Sequence, residues 1–262
     1  MKTWNPARGC TKKSAGCLHC YAEQFANRFW KDGFTPQLNS APFTTILSKK
    51  KYPAGVAVFV MSGADFWHTA FDQYRQEWMS LIRQRPDLRF MIPTKRPENA
   101  LATTPELPDN LEINVTMENQ AMANERIPYL LKIKAKRKAI IVEPMLEAVD
   151  LSAILSTGQI GSITAGGESG FSSRPCHLEW IEALYEQCVK YNVNYTCKQC
   201  GGNFYDHQGR VKAKNHGDMW NVIRHYDKTL FVATELSFIG VTGDKIRENP
   251  DDRQDTLFRE AK

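Results

Sequence analysis

The sequence predicts an α/β fold, a partial or closed (β/α) barrel of about six to eight mostly parallel strands. Two observations predict it. Short β-branched apolar runs recur along the first 200 residues, and between several of them lie segments with helical spacing. Strands that alternate with helices pair in parallel, because each return crosses over one face of the sheet. A doubly wound open sheet is the alternative that the same alternation allows.

The runs appear at 56–61 (VAVFVM), 88–92 (LRFMI), 111–115 (LEINV), 139–142 (AIIV), 160–164 (IGSIT) and 193–196 (VNYT), with a first strand expected near Trp4 or over 43–47. Segment 74–84 sets Trp78, Leu81 and Ile82 on one helical face, and 121–131 and 178–191 repeat that spacing. After residue 201 the periodicity fades into Gly-containing turns. The division expected is a barrel domain over 1–200 and an extension over 201–262 that covers the barrel or docks a partner. The charged stretch 247–259 reads as a disordered tail or a surface helix.

Bulk properties narrow the class. The chain has 262 residues, 24% of them charged, and a net charge of +5; its mean hydropathy is −0.46. No apolar run approaches the roughly 20 residues of a membrane span, and the N-terminus lacks the apolar stretch of a signal peptide. A cytoplasmic location with no membrane partner is the expectation. In such a reducing compartment seven cysteines point to metal binding or catalysis rather than disulfides. The mild basic excess, partly from Lys49-Lys50-Lys51 and 132–138 (KIKAKRK), suits a polyanionic substrate but equally suits solvated surface.

Polar clusters follow the strands. They are Ser62-Gly63-Ala64-Asp65, Thr94-Lys95-Arg96-Pro97, Thr116-Met117-Glu118-Asn119, Glu143-Pro144, Gly166-Gly167-Glu168-Ser169-Gly170 and Lys198-Gln199. Carboxyl ends of parallel strands line active sites. A polar residue there is a stronger candidate than one elsewhere, although each cluster taken singly also fits a turn or a helix cap.

The sharpest signal is Gly9-Cys10 followed by Gly16-Cys17-Leu18-His19-Cys20-Tyr21, with six residues between the first two cysteines and two between the second pair. Thiolates select zinc or iron–sulfur clusters. Three thiolates leave one iron of a cubane without a protein ligand. A zinc site made by Cys17, Cys20, Cys197 and Cys200 is the competing arrangement, and it implies a non-enzymatic, zinc-stabilised DNA-binding module.

The cysteine segment resembles the cluster loop of radical S-adenosylmethionine enzymes, with a longer first gap. Thr3-Trp4-Asn5-Pro6, Gly9-Cys10, Gly16-Cys17, Cys20-Tyr21-Ala22-Glu23, Thr94-Lys95-Arg96-Pro97, Glu118-Asn119-Gln120, Glu125-Arg126, Glu143-Pro144 and Gly166-Gly167-Glu168-Ser169-Gly170 resemble more closely a phage-associated family named after gene products 37 and 68, over about residues 3–200. The resemblance implies a [4Fe–4S] cluster on Cys10, Cys17 and Cys20, with S-adenosyl-L-methionine chelating the open iron. His19 takes the position commonly held by an aromatic residue against the adenine. Tyr21, Ser62, Asp65, Thr94, Thr116, Glu118, Gly166, Gly167 and Glu168 become candidates for holding the cosubstrate. Glu168, Lys95 and Glu143 are the candidates for chemistry, and Lys95 or Arg96 is expected to meet a carboxylate or a phosphate. The activity implied is reductive cleavage to a 5′-deoxyadenosyl radical that abstracts hydrogen, on a thymine-derived base in phage DNA. Base repair by the same chemistry is the variant reading. Partners implied are a nucleic acid, an electron donor such as flavodoxin or ferredoxin, and no membrane.

Overall fold

The computed structural model describes residues 1–170 and 172–209. Most of the expected extension, 210–262, lies outside the described residues, and so does the charged stretch 247–259.

Seven strands form one parallel sheet: β1 (Lys2–Trp4), β2 (Ala57–Val60), β3 (Arg89–Thr94), β4 (Leu111–Thr116), β5 (Arg137–Val142), β6 (Ser162–Ala165) and β7 (Asn194–Cys197). They pair in chain order without a reversal. That order excludes the doubly wound sheet, which needs a point where the winding turns back. β1 and β7 do not pair with each other, so the sheet does not close into a barrel among the described residues.

Helices fill the returns: α1 (Tyr21–Phe29), α2 (Asp72–Arg83), α3 (Pro97–Thr103), α4 (Gln120–Lys132), α5 (Ser152–Leu155) and α6 (Leu178–Lys190). The expected runs and the helices over 74–84, 121–131 and 178–191 fall within a few residues of these bounds. Segment 43–47 is a 3-10 turn, which leaves the first strand at Trp4.

Apolar packing fixes the loops that reach the site. The α2 face carrying Trp78, Met79, Leu81 and Ile82 is buried. Phe66 and Phe71 lie with ring centroids 5.5 Å and 5.8 Å from Trp78. Removing such an indole costs about 3–5 kcal/mol. Arg75, buried on the same helix, donates from Nη2 to the carbonyl of His68 at 3.0 Å, and so pins the loop that follows β2. Central strand β4 is buried along its whole length, as a strand covered on both faces must be.

Two small pairings complete the frame. Ala7–Arg8 runs antiparallel to Gln37–Leu38, behind the cysteine loop. Cys176–His177 pairs in parallel with Phe204–Tyr205, which knits the first residues after 200 into the body.

Candidate active site at the strand ends

One cavity gathers the carboxyl ends of six strands. Its walls include Ser62 and Asp65 after β2, Thr94, Lys95 and Arg96 at β3, Thr116 at β4, Glu143 after β5, Gly167 and Glu168 after β6, and Lys198 and Gln199 after β7. The remaining side is the loop carrying Cys10, Cys17, His19 and Cys20. Met61, on the cavity wall at the end of β2, has φ +60°, a left-handed conformation that a non-glycine residue adopts only where its surroundings enforce it.

Backbone and buried charge hold the cysteine loop. Gly9 has φ +80°, and a Cβ there would lie 2.1 Å from the Thr35 carbonyl oxygen, so Cys10 is delivered by a position only glycine can occupy. Arg96 crosses from β3 to the loop. Its Nη2 donates to the Thr11 carbonyl at 2.8 Å, and its Nη1 to Cys10 Sγ at 3.5 Å. Burial and the Asp65 carboxylate push the Cys10 thiol up to about 11, against the pull of Arg96. Lys13 N–H donates to Cys17 Sγ at 3.5 Å. Cys20 caps α1, whose N-terminal end favours negative charge on the cavity side.

The Cys17 turn rests on Glu118. Its carboxylate accepts from the Ser14 hydroxyl and from Gly16 N–H at 3.2 Å, and it pairs with Arg126 Nη1 at 2.7 Å. Glu118 and Arg126 are both 0% exposed. Although burial opposes the charge, Arg126 and its other partners hold the Glu118 carboxyl below the usual range. Glu118 was expected to bind the cosubstrate. It is not among the cavity walls, because its charge is spent anchoring the loop.

Asp65 also has a bracing role. Oδ1 accepts from the Thr94 hydroxyl at 2.8 Å and Trp67 N–H at 3.0 Å, while Oδ2 accepts from Lys95 N–H at 3.0 Å and Arg96 Nη1 at 3.2 Å. It lines the cavity with its acceptors occupied, and Thr94 is tied to the same knot. Ser62 is fixed by the Asn5 side chain, which donates to its hydroxyl at 2.9 Å and accepts its N–H at 2.9 Å. Tyr21 donates to the Ser62 carbonyl at 2.7 Å.

Glu168 is 4% exposed and gripped by Arg174 through both carboxylate oxygens. His19 Nδ1 donates to Glu168 Oε2 at 2.9 Å, which fixes the proton on that nitrogen because a carboxylate only accepts. Burial works against the charge, but these contacts pull the carboxyl down to about 2. A group so strongly ionised is a poor proton donor at neutral pH. Arg174 also donates to the Ala15 carbonyl at 2.9 Å, so the Gly-Gly-Glu segment steadies the cysteine loop.

Glu143 accepts from Gln199 at 2.8 Å and pairs with Lys198 at 3.3 Å. Gly166 and Gly167 serve close approach. A Cβ on Gly166 would meet Glu143 at 3.3 Å, and one on Gly167 would lie 2.3 Å from the Cys200 carbonyl oxygen. Gly166 itself is not a cavity wall, whereas Gly167 is. Two expected groups keep free polar ends. Among the described residues the Lys95 ammonium has no hydrogen bond or ion pair, and the Thr116 hydroxyl has none either. Both face the cavity.

The four cysteines of the competing zinc arrangement are not brought together. Cys17 and Cys20 line the cavity, while Cys197 and Cys200 are buried outside its walls. Among the described residues no three His, Cys, Asp or Glu side chains converge as around a single ion. Sulfurs bound to different irons of a cubane stand farther apart than those around one zinc. The chemistry of the donor set suits a [4Fe–4S] group: three half-exposed thiols on one loop, hydrogen-bond donors at two of the sulfurs, and no fourth thiol on the cavity wall.

A family model described as a protein of unknown function, DUF5131, matches residues 1–229. The chain belongs to the DUF5131 family. No curated protein and no solved structure matches it. The DUF5131 match runs past residue 200, consistent with the packing of Cys200 and Gly201 against Gly167.

Several residues that shape this DUF5131 site escaped sequence reasoning. Arg174 is an ordinary arginine six positions beyond Glu168, and Arg126 stands out only within the Glu125-Arg126 pair of the family resemblance. Asn5 belongs to a motif noted only for resemblance. His68 reads in the sequence as either an acid or base of the site or a satisfied polar loop residue; its Nε2 contacts the Thr11 hydroxyl at 2.9 Å and braces the loop beside Cys10. No helix among the described residues is long and apolar enough to cross a membrane.

Proposed function

We propose that this chain is a radical S-adenosylmethionine enzyme on a partial (β/α) barrel. The observation that carries the proposal is the placement of Cys10, Cys17 and Cys20 on one loop over a cavity built from six parallel strand ends, with no fourth cavity thiol. Those cysteines would hold a [4Fe–4S] cluster, which when loaded supplies the electron that cleaves S-adenosylmethionine to methionine and a 5′-deoxyadenosyl radical.

The chain's own residues bind, orient and exclude water. Arg96 and Lys13 N–H donate to ligand sulfurs, and such second-layer contacts set ligand orientation and electron density. Lys95 offers a charged donor to a carboxylate or phosphate, and the Thr116 hydroxyl lies on the same wall. Lys198 and Glu143 form the polar wall farthest along the sheet, paired at 3.3 Å. Buried Asp65 and Glu168 hold that frame rigid, and a rigid frame keeps a reactive carbon near its target.

The basic balance of the chain supports a nucleic-acid substrate, and a thymine-derived base is the specific hypothesis carried over from the family resemblance. An electron donor of the flavodoxin or ferredoxin class and a reducing cytoplasm follow from the cluster, with seven free thiols in keeping. Anaerobic reconstitution with iron and sulfide, reduction, and quantitation of 5′-deoxyadenosine test the activity. Incubation with modified and unmodified DNA followed by nucleoside mass spectrometry tests the substrate. A colourless chain holding one zinc, or iron-loaded protein that never forms 5′-deoxyadenosine, overturns the reading.

A further inference from the structure

Beside the cavity lies a second concavity, and the two share Tyr21, Ala22 and Ser62 as a common wall. Its floor is Asn5 and Gly63, and its sides are Arg8, Phe25 and Trp30. Nothing described so far uses it. Phe25 is 53% exposed on α1, edge-on to Trp30 at 6.2 Å between ring centroids, and Phe29 extends the same strip at 59% exposed. Large aromatic side chains left in water beside a cavity mark a binding surface rather than ordinary solvent exposure.

Charge and shape select the occupant. The Arg8 guanidinium lies 5.0 Å from the Trp30 ring centroid; its Nη2 donates to Gln37 Oε1 at 3.4 Å and lies 3.8 Å from the exposed Asp32 carboxylate, while its Nε is buried with no hydrogen-bond partner among the described residues. Arg28 lies 5.1 Å from the Phe29 ring. Between residues 8 and 34 there are five basic residues against two acidic ones. Flat rings interleaved with cations fit unstacked bases on a polyanionic backbone. A duplex keeps its base faces stacked and offers no ring to this strip. Because Tyr21, Ala22 and Ser62 line both concavities, the groove directly adjoins the cavity, as neighbouring positions along one strand require.

We propose that this groove binds the nucleotide neighbouring the one held in the cavity, and that the substrate is therefore a single-stranded segment of polynucleotide. This deepens the nucleobase reading given above and rests on it.

The probe is a fluorescent twelve-nucleotide thymidine strand titrated with the full chain, read by anisotropy at low and moderate salt, beside the same strand in a duplex. The expected result is salt-dependent binding that favours the single strand. Phe25→Ala and Arg8→Gln each weaken it about tenfold, while Tyr129→Ala, an exposed aromatic on α4, leaves it unchanged. Circular dichroism of each variant establishes that the fold is kept. Equal affinity of all variants, preference for the duplex, or retention of an acidic electron-carrier protein instead of the strand overturns the groove assignment. Formation of 5′-deoxyadenosine without oligonucleotide reports separately on the radical chemistry. A chain active in that assay with no groove-dependent binding loses the groove alone.

Discussion

The Arg96 guanidinium stands between Cys10 and Asp65, with Nη1 3.5 Å from the sulfur and 3.2 Å from the carboxylate Oδ2. One side chain thus links the loop that carries the thiols to the end of β3. Replacing it with Gln leaves an amide donor on a shorter side chain and removes the charge. Arg96→Gln is expected to shift the midpoint potential of the loaded cluster downward, since a thiolate relieved of a cationic donor is richer in electrons. Activity should fall about 10- to 100-fold, as for other partners of metal ligands. Spectroelectrochemical titration checks the potential, and an unchanged midpoint contradicts the linkage.

The buried Glu118–Arg126 pair anchors the Cys17 turn. Truncating one partner strands a charge without water, so Glu118→Ala should destabilise the chain by about 3–5 kcal/mol. Urea unfolding measures this loss. Iron retention should fall with it, because Ser14 and Gly16 lose their shared acceptor.

The Lys95 ammonium meets the cavity with no hydrogen bond or ion pair among the described residues, so its removal leaves no hydrogen-bonding group stranded. Lys95→Met should leave the melting temperature unchanged and weaken S-adenosylmethionine about 10- to 100-fold, the range for a lost hydrogen bond to a charged group. Calorimetric titration of the reconstituted chain decides it. A lysine that only packs against the wall would give wild-type affinity.

Acid should loosen the loop through Glu168. Its folded carboxyl lies at about 2 against an ordinary 4.5. The stability it contributes is complete above the ordinary carboxylate range and is lost as pH falls from there towards 2. Stability of Glu168→Gln should therefore be lower than wild type at neutral pH and change less over that acid range. Parallel acid slopes would remove Glu168 from the account.

The glycine at 167 tests the join between β6 and the segment after β7. A Cβ there would lie 2.3 Å from the Cys200 carbonyl oxygen, a backbone atom that cannot yield cheaply. Gly167→Ala should lower the melting temperature, and Gly170→Ala, which meets no neighbour, should cost only its positive-φ strain.

Much of the frame was legible in the sequence, because each buried strand writes its own apolar run and each amphipathic helix its own spacing. The strands at 57–60, 111–116 and 194–197 and the α2 face around Trp78 are examples. The 3-10 turn at 43–47 reads like a strand because Phe43, Ile46 and Leu47 are apolar for a different reason: Phe43 lies edge-on to Trp78 at 6.3 Å and Ile46 is buried in the core. The cavity's walls were legible as strand-end polar clusters. Which members face the cavity was not. Glu118 and Glu168 look alike in sequence, and their fates depend on arginines at 126 and 174 that only three-dimensional packing brings to them. The groove beside α1 was hidden because nothing in the order of residues 25–30 tells an exposed aromatic such as Phe25 or Phe29 from a buried one.

The central claim is an iron corner left open by three thiolates. Electron paramagnetic resonance of the reduced, reconstituted chain before and after adding S-adenosylmethionine tests it most directly. The account predicts a reduced-cluster signal that changes on addition and is lost in Cys10→Ala, Cys17→Ala and Cys20→Ala but kept in Cys197→Ala. A signal indifferent to S-adenosylmethionine, or a metal bound equally well without those three cysteines, would contradict it.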